Sequence, residues 1–230
     1  MRLVSCIVLL LVACGLAPAQ QPRPRAFPLE GWEYTPDPKL PNVLLIGDSI
    51  SMGYTIPVRE LLKDKANVLR VLDNAGDTGR GLENLDRWLG AKKWDVIHFN
   101  FGLHDLKYLD AEGKYVTPDK GKQVTLLPQY EANLRQLVER LKRTNAKLIW
   151  ASTTPVSDAS SGRVKGDEIK YNEVALKVMT ELAVPIDDLH SVVVNGPPGI
   201  ELPHNVHYTP DGYQILARSV AASIEAALAK

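Results

Sequence analysis

Residues 42–49 read Asn-Val-Leu-Leu-Ile-Gly-Asp-Ser, a short apolar run that ends in a glycine, an acid and a serine. A nearly continuous apolar run of this length is typical of a strand buried on both faces of a parallel sheet. Gly47 permits a sharp turn out of that strand. The sequence therefore predicts a buried strand over residues 42–46, followed by a turn that presents Ser49.

Four similar apolar runs follow along the chain, and amphipathic helical patterns lie between them. This alternation predicts an α/β domain with a central parallel sheet of about five strands and helices on both faces. In such sheets, ligands bind at the carboxyl ends of the strands. Two longer stretches, 106–127 and 191–203, are predicted to be loop insertions. The predicted strands span 42–46, 68–72, 95–101, 147–152 and 184–188, and the predicted helices span 56–66, 81–93, 128–145, 167–182 and 209–229.

The composition of the 230-residue chain is ordinary for a globular protein, with 45% hydrophobic and 23% charged residues. The 27 lysines and arginines balance the 27 acids, so the charge does not favour a nucleic acid or an anionic membrane as partner. A neutral substrate is the simpler expectation, although a local patch can still be charged. Both cysteines, Cys6 and Cys14, precede the predicted domain, which therefore has no disulfide and no cysteine nucleophile or ligand.

The N-terminus is typical of an export signal, with Arg2 followed by the apolar run of residues 3–13. That run is shorter than the ~20 residues needed to span a bilayer. Two processing sites compete. Residues 17–19, Ala-Pro-Ala, fit a cleavage that ends a signal peptide at residue 19. Residues 11–14, Leu-Val-Ala-Cys, resemble a lipobox, which would end the signal at residue 13 and tether the protein to a membrane through lipidated Cys14.

The chain is accordingly divided into a signal over residues 1–19, a proline-rich N-terminal arm over 20–41 and one domain over 42–230. The expected location is outside the cytoplasm, either periplasmic or secreted, with lipoprotein anchoring as the alternative that Cys14 offers.

Three segments carry reactive residue types at the predicted strand ends. Ser49 lies just before a helix, where free backbone N–H groups and the helix dipole favour a developing anion, although the same segment can simply cap the helix. Gly76 follows the second strand and can let a backbone N–H approach a ligand closely. His207 lies on a loop two residues ahead of the last helix, which Thr209 is predicted to cap. A histidine there can reach across the sheet edge to Ser49.

Together, and in this order, the segments resemble the SGNH (GDSL-type) hydrolase superfamily. Its sequence blocks are a Gly-Asp-Ser near the N-terminus, a glycine after the second strand, a Gly-x-Asn-Asp after the third and an Asp-x-x-His before the last helix. The resemblance covers the whole domain and implies a flavodoxin-like, three-layer α/β/α sandwich. It also implies that Ser49 is the nucleophile and His207 the general base. The implied oxyanion donors are the Ser49 and Gly76 backbone N–H groups and the side chain at position 104.

Two positions depart from the family blocks. His104 stands where the family has asparagine, and a neutral imidazole can still donate one N–H to an oxyanion. His204 stands where the family has aspartate, and it cannot supply the negative charge that normally orients the base. The orienting group at His207 is therefore left open among His204, Asp188, the neighbouring Asp187 and a backbone carbonyl. A Ser-His dyad without an orienting acid is a further alternative.

The resulting hypothesis is an exported serine esterase that hydrolyses O-acyl esters, acetyl esters in particular, on a carbohydrate or a small molecule. Tyr54, Tyr108 and Tyr115 are candidates for stacking on a sugar ring. No cofactor or metal is assigned, although three histidines near one site could hold zinc. Two other hypotheses use the same segments, namely a non-catalytic carbohydrate-binding protein that retains the fold and an acyltransferase that transfers the acyl group to a sugar.

Overall fold

The computed structural model describes residues 32–229. The expected processing sites, both cysteines and the first part of the proline-rich arm lie outside the described residues. The rest of the arm packs against the domain through Asn67, whose side chain is 1% exposed. The amide of Asn67 accepts from the Asp37 backbone N–H at 2.8 Å and donates to the Asp37 carbonyl at 2.7 Å. The Tyr34 hydroxyl donates to the same amide at 3.2 Å.

Five parallel strands form the central sheet, as the alternating pattern predicts. In chain order the strands are β1 (Asn42–Ile46), β2 (Asn67–Arg70), β3 (Val96–Phe99), β4 (Tyr108–Leu109), β5 (Lys122–Gln123), β6 (Lys147–Ala151) and β7 (Ile186–Asp187). The order across the sheet is β2-β1-β3-β6-β7, and every pair in it is parallel. The chain crosses over on opposite sides of β1, so a crevice opens between the carboxyl ends of β1 and β3.

Helices cover both faces of the sheet. They are α1 (Ser49–Leu61), α2 (Thr78–Leu89), α3 (Leu127–Lys142), α4 (Asp167–Glu181), α5 (Leu189–Val194) and α6 (Pro210–Leu228). Helix α1 packs against α6, whereas α3 packs against α2 and α4. These two groups are the outer layers of a three-layer sandwich, which confirms the predicted fold class. No helix in the described range is long and apolar enough to cross a membrane.

The helices that flank the site begin at strong N-terminal caps. The Asp48 carboxylate accepts from the Ile50 backbone N–H at 2.9 Å and begins α1 directly after the β1 turn. The Thr209 hydroxyl accepts from the Gly212 backbone N–H at 3.2 Å, and Pro210 is the first residue of α6, as predicted. Because Asp48 caps it, α1 begins at Ser49 rather than at residue 56, where the apolar spacing first becomes regular.

Both predicted loop insertions contain regular structure. Residues 106–127 include the two-stranded antiparallel hairpin of β4 and β5, and residues 191–203 overlap α5. These elements are too short to show a hydrophobic period, so the sequence pattern does not reveal them. The hairpin is attached to the domain by the Tyr108 backbone N–H, which donates to the Gly162 carbonyl at 2.7 Å. This contact places the hairpin beside the loop that precedes α4.

Candidate active site

Ser49 and His207 meet at the carboxyl edge of the sheet, although 158 residues separate them in the chain. Ser49 is the first residue of α1, and His207 lies on the loop ahead of α6. The distance from His207 Nε2 to Ser49 Oγ is 2.7 Å, and both side chains are partly exposed. The serine hydroxyl can therefore donate to a neutral imidazole in a place that a ligand can reach.

The side chain that holds His207 is Asn205. Its Oδ1 lies 2.6 Å from His207 Nδ1 and 3.2 Å from the His207 backbone N–H. Because an amide oxygen only accepts, Nδ1 carries the ring proton and Nε2 is left free to accept from Ser49. The Ser157 hydroxyl donates to the Asn205 carbonyl at 2.6 Å and fixes this loop. The arrangement is a Ser-His-Asn triad rather than a dyad.

His204, which takes the family position of the acid, points elsewhere. It is exposed, its φ is +54°, and its Nδ1 lies 3.3 Å from the Asp158 carbonyl. Asn205, two places before His207, was not among the orienting groups predicted from the sequence. The signal that could have identified Asn205 is its side-chain carbonyl, which can accept from a ring N–H at that spacing.

The two aspartates considered as orienting groups are engaged in other contacts. The Asp188 carboxylate caps α5 and accepts from the Ser191 hydroxyl at 2.6 Å. Asp187 is buried, and its carboxylate lies 2.9 Å from His98 Nε2 inside the sandwich. Neither carboxylate contacts His207, so the structure does not bring Asp188 or Asp187 to the base.

The environment of His207 keeps its imidazole neutral near pH 7. The pKa of His207 is lowered from its ordinary value of 6.5, first by burial and also by the positive charge of Arg163, while Asp48 acts in the opposite direction. A neutral imidazole is the form that can accept a proton from Ser49.

His104 has its ring orientation fixed by a lysine. The Lys107 ammonium lies 3.1 Å from His104 Nδ1. Because an ammonium group only donates, Nδ1 accepts and the ring proton resides on Nε2. Burial, together with the charges of Lys107 and Arg163, lowers the pKa of His104 to about 4. His104 is thus a neutral Nε2–H donor at physiological pH, and it lies in the wall of the cavity that contains Ser49.

Gly76 is not placed as the resemblance implies. Its N–H donates to the Asn74 side-chain oxygen at 3.0 Å, and Asn74, rather than Gly76, lies in the cavity wall. The φ of Gly76 is +69°, and a Cβ there would lie 2.8 Å from Arg80 Cδ. The glycine is therefore required by the backbone, while Asn74 is the residue of this loop that lines the cavity.

A buried arginine supports the turn that carries Ser49. Arg70 is 6% exposed, and its guanidinium donates to the Gly47 carbonyl at 2.7 Å and the Asp48 carbonyl at 3.0 Å. It also donates to the Ser51 hydroxyl at 3.1 Å. Burial lowers the pKa of Arg70 to about 10, so it is charged at neutral pH. Nothing in the apolar pattern of β2 distinguishes Arg70 as a support for the serine turn.

The cavity at Ser49 and His207 has a volume of about 340 Å³. Of the tyrosines proposed to bind substrate, Tyr54 is 2% exposed and packs edge-on to the His98 ring, so a ligand cannot reach it. Tyr108 lies in β4 and is not in the wall, whereas Tyr115, which follows β4, is 49% exposed and lines the cavity. Of the three candidate tyrosines, the structure therefore places Tyr115 in the cavity wall.

The three histidines that could have held zinc, His104, His204 and His207, all lie in the cavity wall. Within residues 32–229, however, no group of three histidine, cysteine or acidic side chains is arranged so that it could hold a metal ion.

A serine and a histidine in contact at the carboxyl edge of a five-stranded parallel sheet define the class of the protein, which is an ester hydrolase of the SGNH type. The sequence model of the GDSL-like lipase/acylhydrolase family matches residues 45–215, and the chain belongs to this family. Its substrates are accordingly small-molecule esters.

Solved structures of similar fold include several esterases. An acetyl xylan esterase is 16% identical, with a TM-score of 0.65 over 80% of this chain and 99% of its own. An acetylxylan esterase from Geobacillus stearothermophilus is 21% identical, with a TM-score of 0.64 over 80% and 94%. A lipase/acylhydrolase from Enterococcus faecalis is 21% identical, with a TM-score of 0.62 over 81% and 96%. At these identities the likeness establishes the fold alone. Comparison with curated proteins gave no match.

Proposed function

We propose that the chain is an exported serine esterase that hydrolyses O-acyl esters through an acyl-enzyme on Ser49. The observation that carries the proposal is the 2.7 Å contact between His207 Nε2 and Ser49 Oγ, supported by the 2.6 Å contact between His207 Nδ1 and Asn205. A serine at its ordinary pKa is a poor nucleophile, and an adjacent, oriented base is the usual means of activating it.

In the proposed mechanism, His207 takes the proton of Ser49 as Oγ attacks the ester carbonyl. The oxyanion of the tetrahedral intermediate accepts from the Ser49 backbone N–H, at the start of α1, and from His104 Nε2–H. Asn74 offers a further N–H donor. His207 then gives its proton to the departing alcohol, which leaves an acyl group on Ser49. Water attacks this acyl-enzyme with His207 again as base, and the acid is released.

Acetyl esters on carbohydrate are the proposed substrates. The support is the small cavity with its exposed Tyr115, and the acetyl xylan esterases among the similar folds. Export is supported by the apolar leader at residues 3–13.

The proposal is tested by labelling the protein with a fluorophosphonate probe and by measuring hydrolysis of a panel of acyl esters from acetate to octanoate. We expect peptide mapping to find the label on Ser49 and kcat/KM to be highest for the shortest acyl chains. A protein that takes no label and hydrolyses no ester would be a binding protein with the same fold. Formation of an acylated sugar in the presence of excess acceptor would indicate acyl transfer instead.

The triad predicts that a carboxylate at position 205, and not at position 204, changes the base. In Asn205→Asp, the negative charge beside Nδ1 favours the imidazolium, so the pKa of His207 rises by ~1–3 units and the acid limb of the pH–rate profile moves to higher pH. In Asn205→Ala, the ring loses its anchor, and we expect kcat to fall ~10- to 100-fold. The pKa is measured from the dependence of kcat/KM on pH between pH 4 and 9, and the loss of kcat from steady-state kinetics at the pH optimum.

The matched control is His204→Asp, which puts a carboxylate at the family position. Because His204 is exposed and faces the Asp158 carbonyl, we expect its profile to stay that of the wild type. If the acid limb of the pH–rate profile moved in His204→Asp and stayed in place in Asn205→Asp, residue 204 and not residue 205 would orient His207.

The donor role of His104 predicts a loss confined to kcat. Removing one oxyanion donor typically costs ~10²–10³ in kcat, and KM should change little because the oxyanion exists only after attack. We expect His104→Ala to show this loss and His104→Asn to retain more activity, since an amide restores a donor. His190→Ala is the control, because His190 lies outside the cavity with its ring 3.7 Å from Glu168. Equal kcat in His104→Ala and His190→Ala would remove His104 from the mechanism.

A further inference from the structure

One side of the cavity beside Ser49 carries positive charge that forms no ion pair within the described residues. Arg163 lies in the wall, partly exposed, and is held by neutral carbonyl groups. Its Nε donates to the Leu103 carbonyl at 2.9 Å and its Nη1 to the Ser161 carbonyl at 3.3 Å. Within residues 32–229, Arg163 takes part in no ion pair. Its position is fixed while its charge remains available to a ligand.

A second cation lies against the same aromatic ring. The centroid of the Tyr115 ring is 5.6 Å from the Arg163 guanidinium carbon and 5.4 Å from the Lys107 ammonium. Lys107 also contacts His104 Nδ1 at 3.1 Å, and in the described part of the chain it has no acidic partner either. Two like charges that share one ring repel each other, and an anion beside them would relieve that repulsion.

The only described carboxylate in the wall forms no ion pair with Arg163 or Lys107, although its negative charge raises the pKa of Arg163 against the effect of burial. It belongs to Asp48, which is 3% exposed and accepts from the Ile50 backbone N–H at 2.9 Å as the cap of α1. Among the charged side chains at the solvent-exposed part of the cavity, Arg163 lines the wall beside Tyr115, and Lys107 lies against the same ring. The zero net charge of the chain does not describe this site, because a concave wall concentrates the field of its own charges.

We propose that the wall formed by Arg163, Lys107 and Tyr115 binds a carboxylate of the substrate, so that the ester hydrolysed at Ser49 belongs to an acidic molecule. A planar guanidinium can bind both oxygens of a carboxylate, and the bonds from Nε and Nη1 to carbonyl groups leave Nη2 and the second N–H of Nη1 for this contact. An acylated uronic-acid sugar and a dicarboxylic acyl ester both carry this chemistry. The inference rests on the proposed function for the position of the scissile ester.

The effect of the carboxylate is measured with two pairs of esters, whose members differ in whether they carry a free carboxylate. For a carboxylate on the alcohol side, the pair is 3-acetoxybenzoate and its neutral methyl ester. For one on the acyl side, it is the 4-nitrophenyl monoester of adipic acid and its neutral methyl diester. Each kcat/KM is divided by the rate of hydroxide hydrolysis to correct for intrinsic reactivity. We expect the wild type to prefer the acidic member of at least one pair by about 10-fold or more, and that pair identifies the side.

For each variant, the preference is the kcat/KM of the acidic ester divided by that of its neutral partner. A general loss of activity cancels in this ratio. In Arg163→Gln the ratio should fall about 10- to 100-fold, which corresponds to one charge-assisted hydrogen bond. Arg163→Lys should retain part of the preference. Lys165→Gln is the matched control, because it removes the same charge from the same loop, where Lys165 is paired with Asp158 outside the cavity wall. Its ratio should equal that of the wild type.

A binding measurement makes the test independent of catalysis. Calorimetric titration with 3-hydroxybenzoate and with adipate should give a Kd at least 10-fold higher for Arg163→Gln than for Lys165→Gln with one of the two ligands. If the wild type prefers neither acidic ester, or if Arg163→Gln leaves the ratio and the Kd unchanged, the carboxylate subsite is wrong while the esterase proposal stands. If no ester is hydrolysed, the proposed function fails and the titration alone decides the subsite.

Discussion

Replacing Ser49 with alanine should lower kcat on acetyl esters by about five to six orders of magnitude and abolish fluorophosphonate labelling. The reason is that Ser49 Oγ is the atom that forms the acyl bond, and a water molecule held by the same base is a much weaker substitute. Loss of the nucleophile has this magnitude in serine hydrolases, and the activity that remains comes from binding and oxyanion donors.

The variant should remain folded. The hydrogen bond of the Ser49 hydroxyl is made to His207, whereas α1 is capped by Asp48, so its start is preserved. We expect the free energy of unfolding to change by less than ~0.5 kcal/mol, as for a surface substitution, and thermal unfolding checks this. Ser161→Ala, in the same cavity wall, is the matched control and should keep its labelling. A Ser49→Ala protein that retains kcat within tenfold of the wild type would exclude Ser49 as nucleophile.

The fold could be predicted because its determinants are local and periodic. The run of residues 42–46 is apolar enough to indicate a strand buried on both faces, and the structure has β1 at those residues. Thr209 and Pro210 mark the start of α6 by cap chemistry alone. The hairpin of β4 and β5 and the short α5 were not predicted, because two-residue strands and a six-residue helix contain fewer than two hydrophobic periods, so no repeat is visible.

The site could be predicted only as far as residue type and chain order allow. Ser49 and His207 were predicted because they lie in sequence blocks that resemble those of the family, and the structure brings them into contact. The partner of His207 depends on the path of a four-residue loop, which turns His204 outward and Asn205 inward. Arg70 has no local signal for this role, because its contacts with the serine turn are made to the Gly47 and Asp48 carbonyl groups, which lie far from it in sequence.

Replacing His207 with alanine should be nearly as damaging as replacing Ser49, because Ser49 would then have to ionise without a base. In the wild type, kcat/KM should rise with pH through a single ionisation, since only the neutral imidazole can accept the proton. Burial lowers the pKa of His207 below its ordinary 6.5, so the limb should lie on the acid side of 6.5 and the rate should be level from about pH 7 to 8.

The matched control for this substitution is His204→Ala, three residues earlier on the same loop. The His204 ring is exposed and contacts a backbone carbonyl rather than Ser49 or His207, so kcat should stay within about threefold of the wild type. Steady-state kinetics of both variants on the preferred acyl ester, from pH 4 to 9, supply the comparison. If His204→Ala fell as far as His207→Ala, or if the wild-type profile were flat from pH 4 to 8, proton transfer would not depend on the 2.7 Å contact between His207 and Ser49. The Ser-His-Asn triad would then be an arrangement of side chains without a catalytic role.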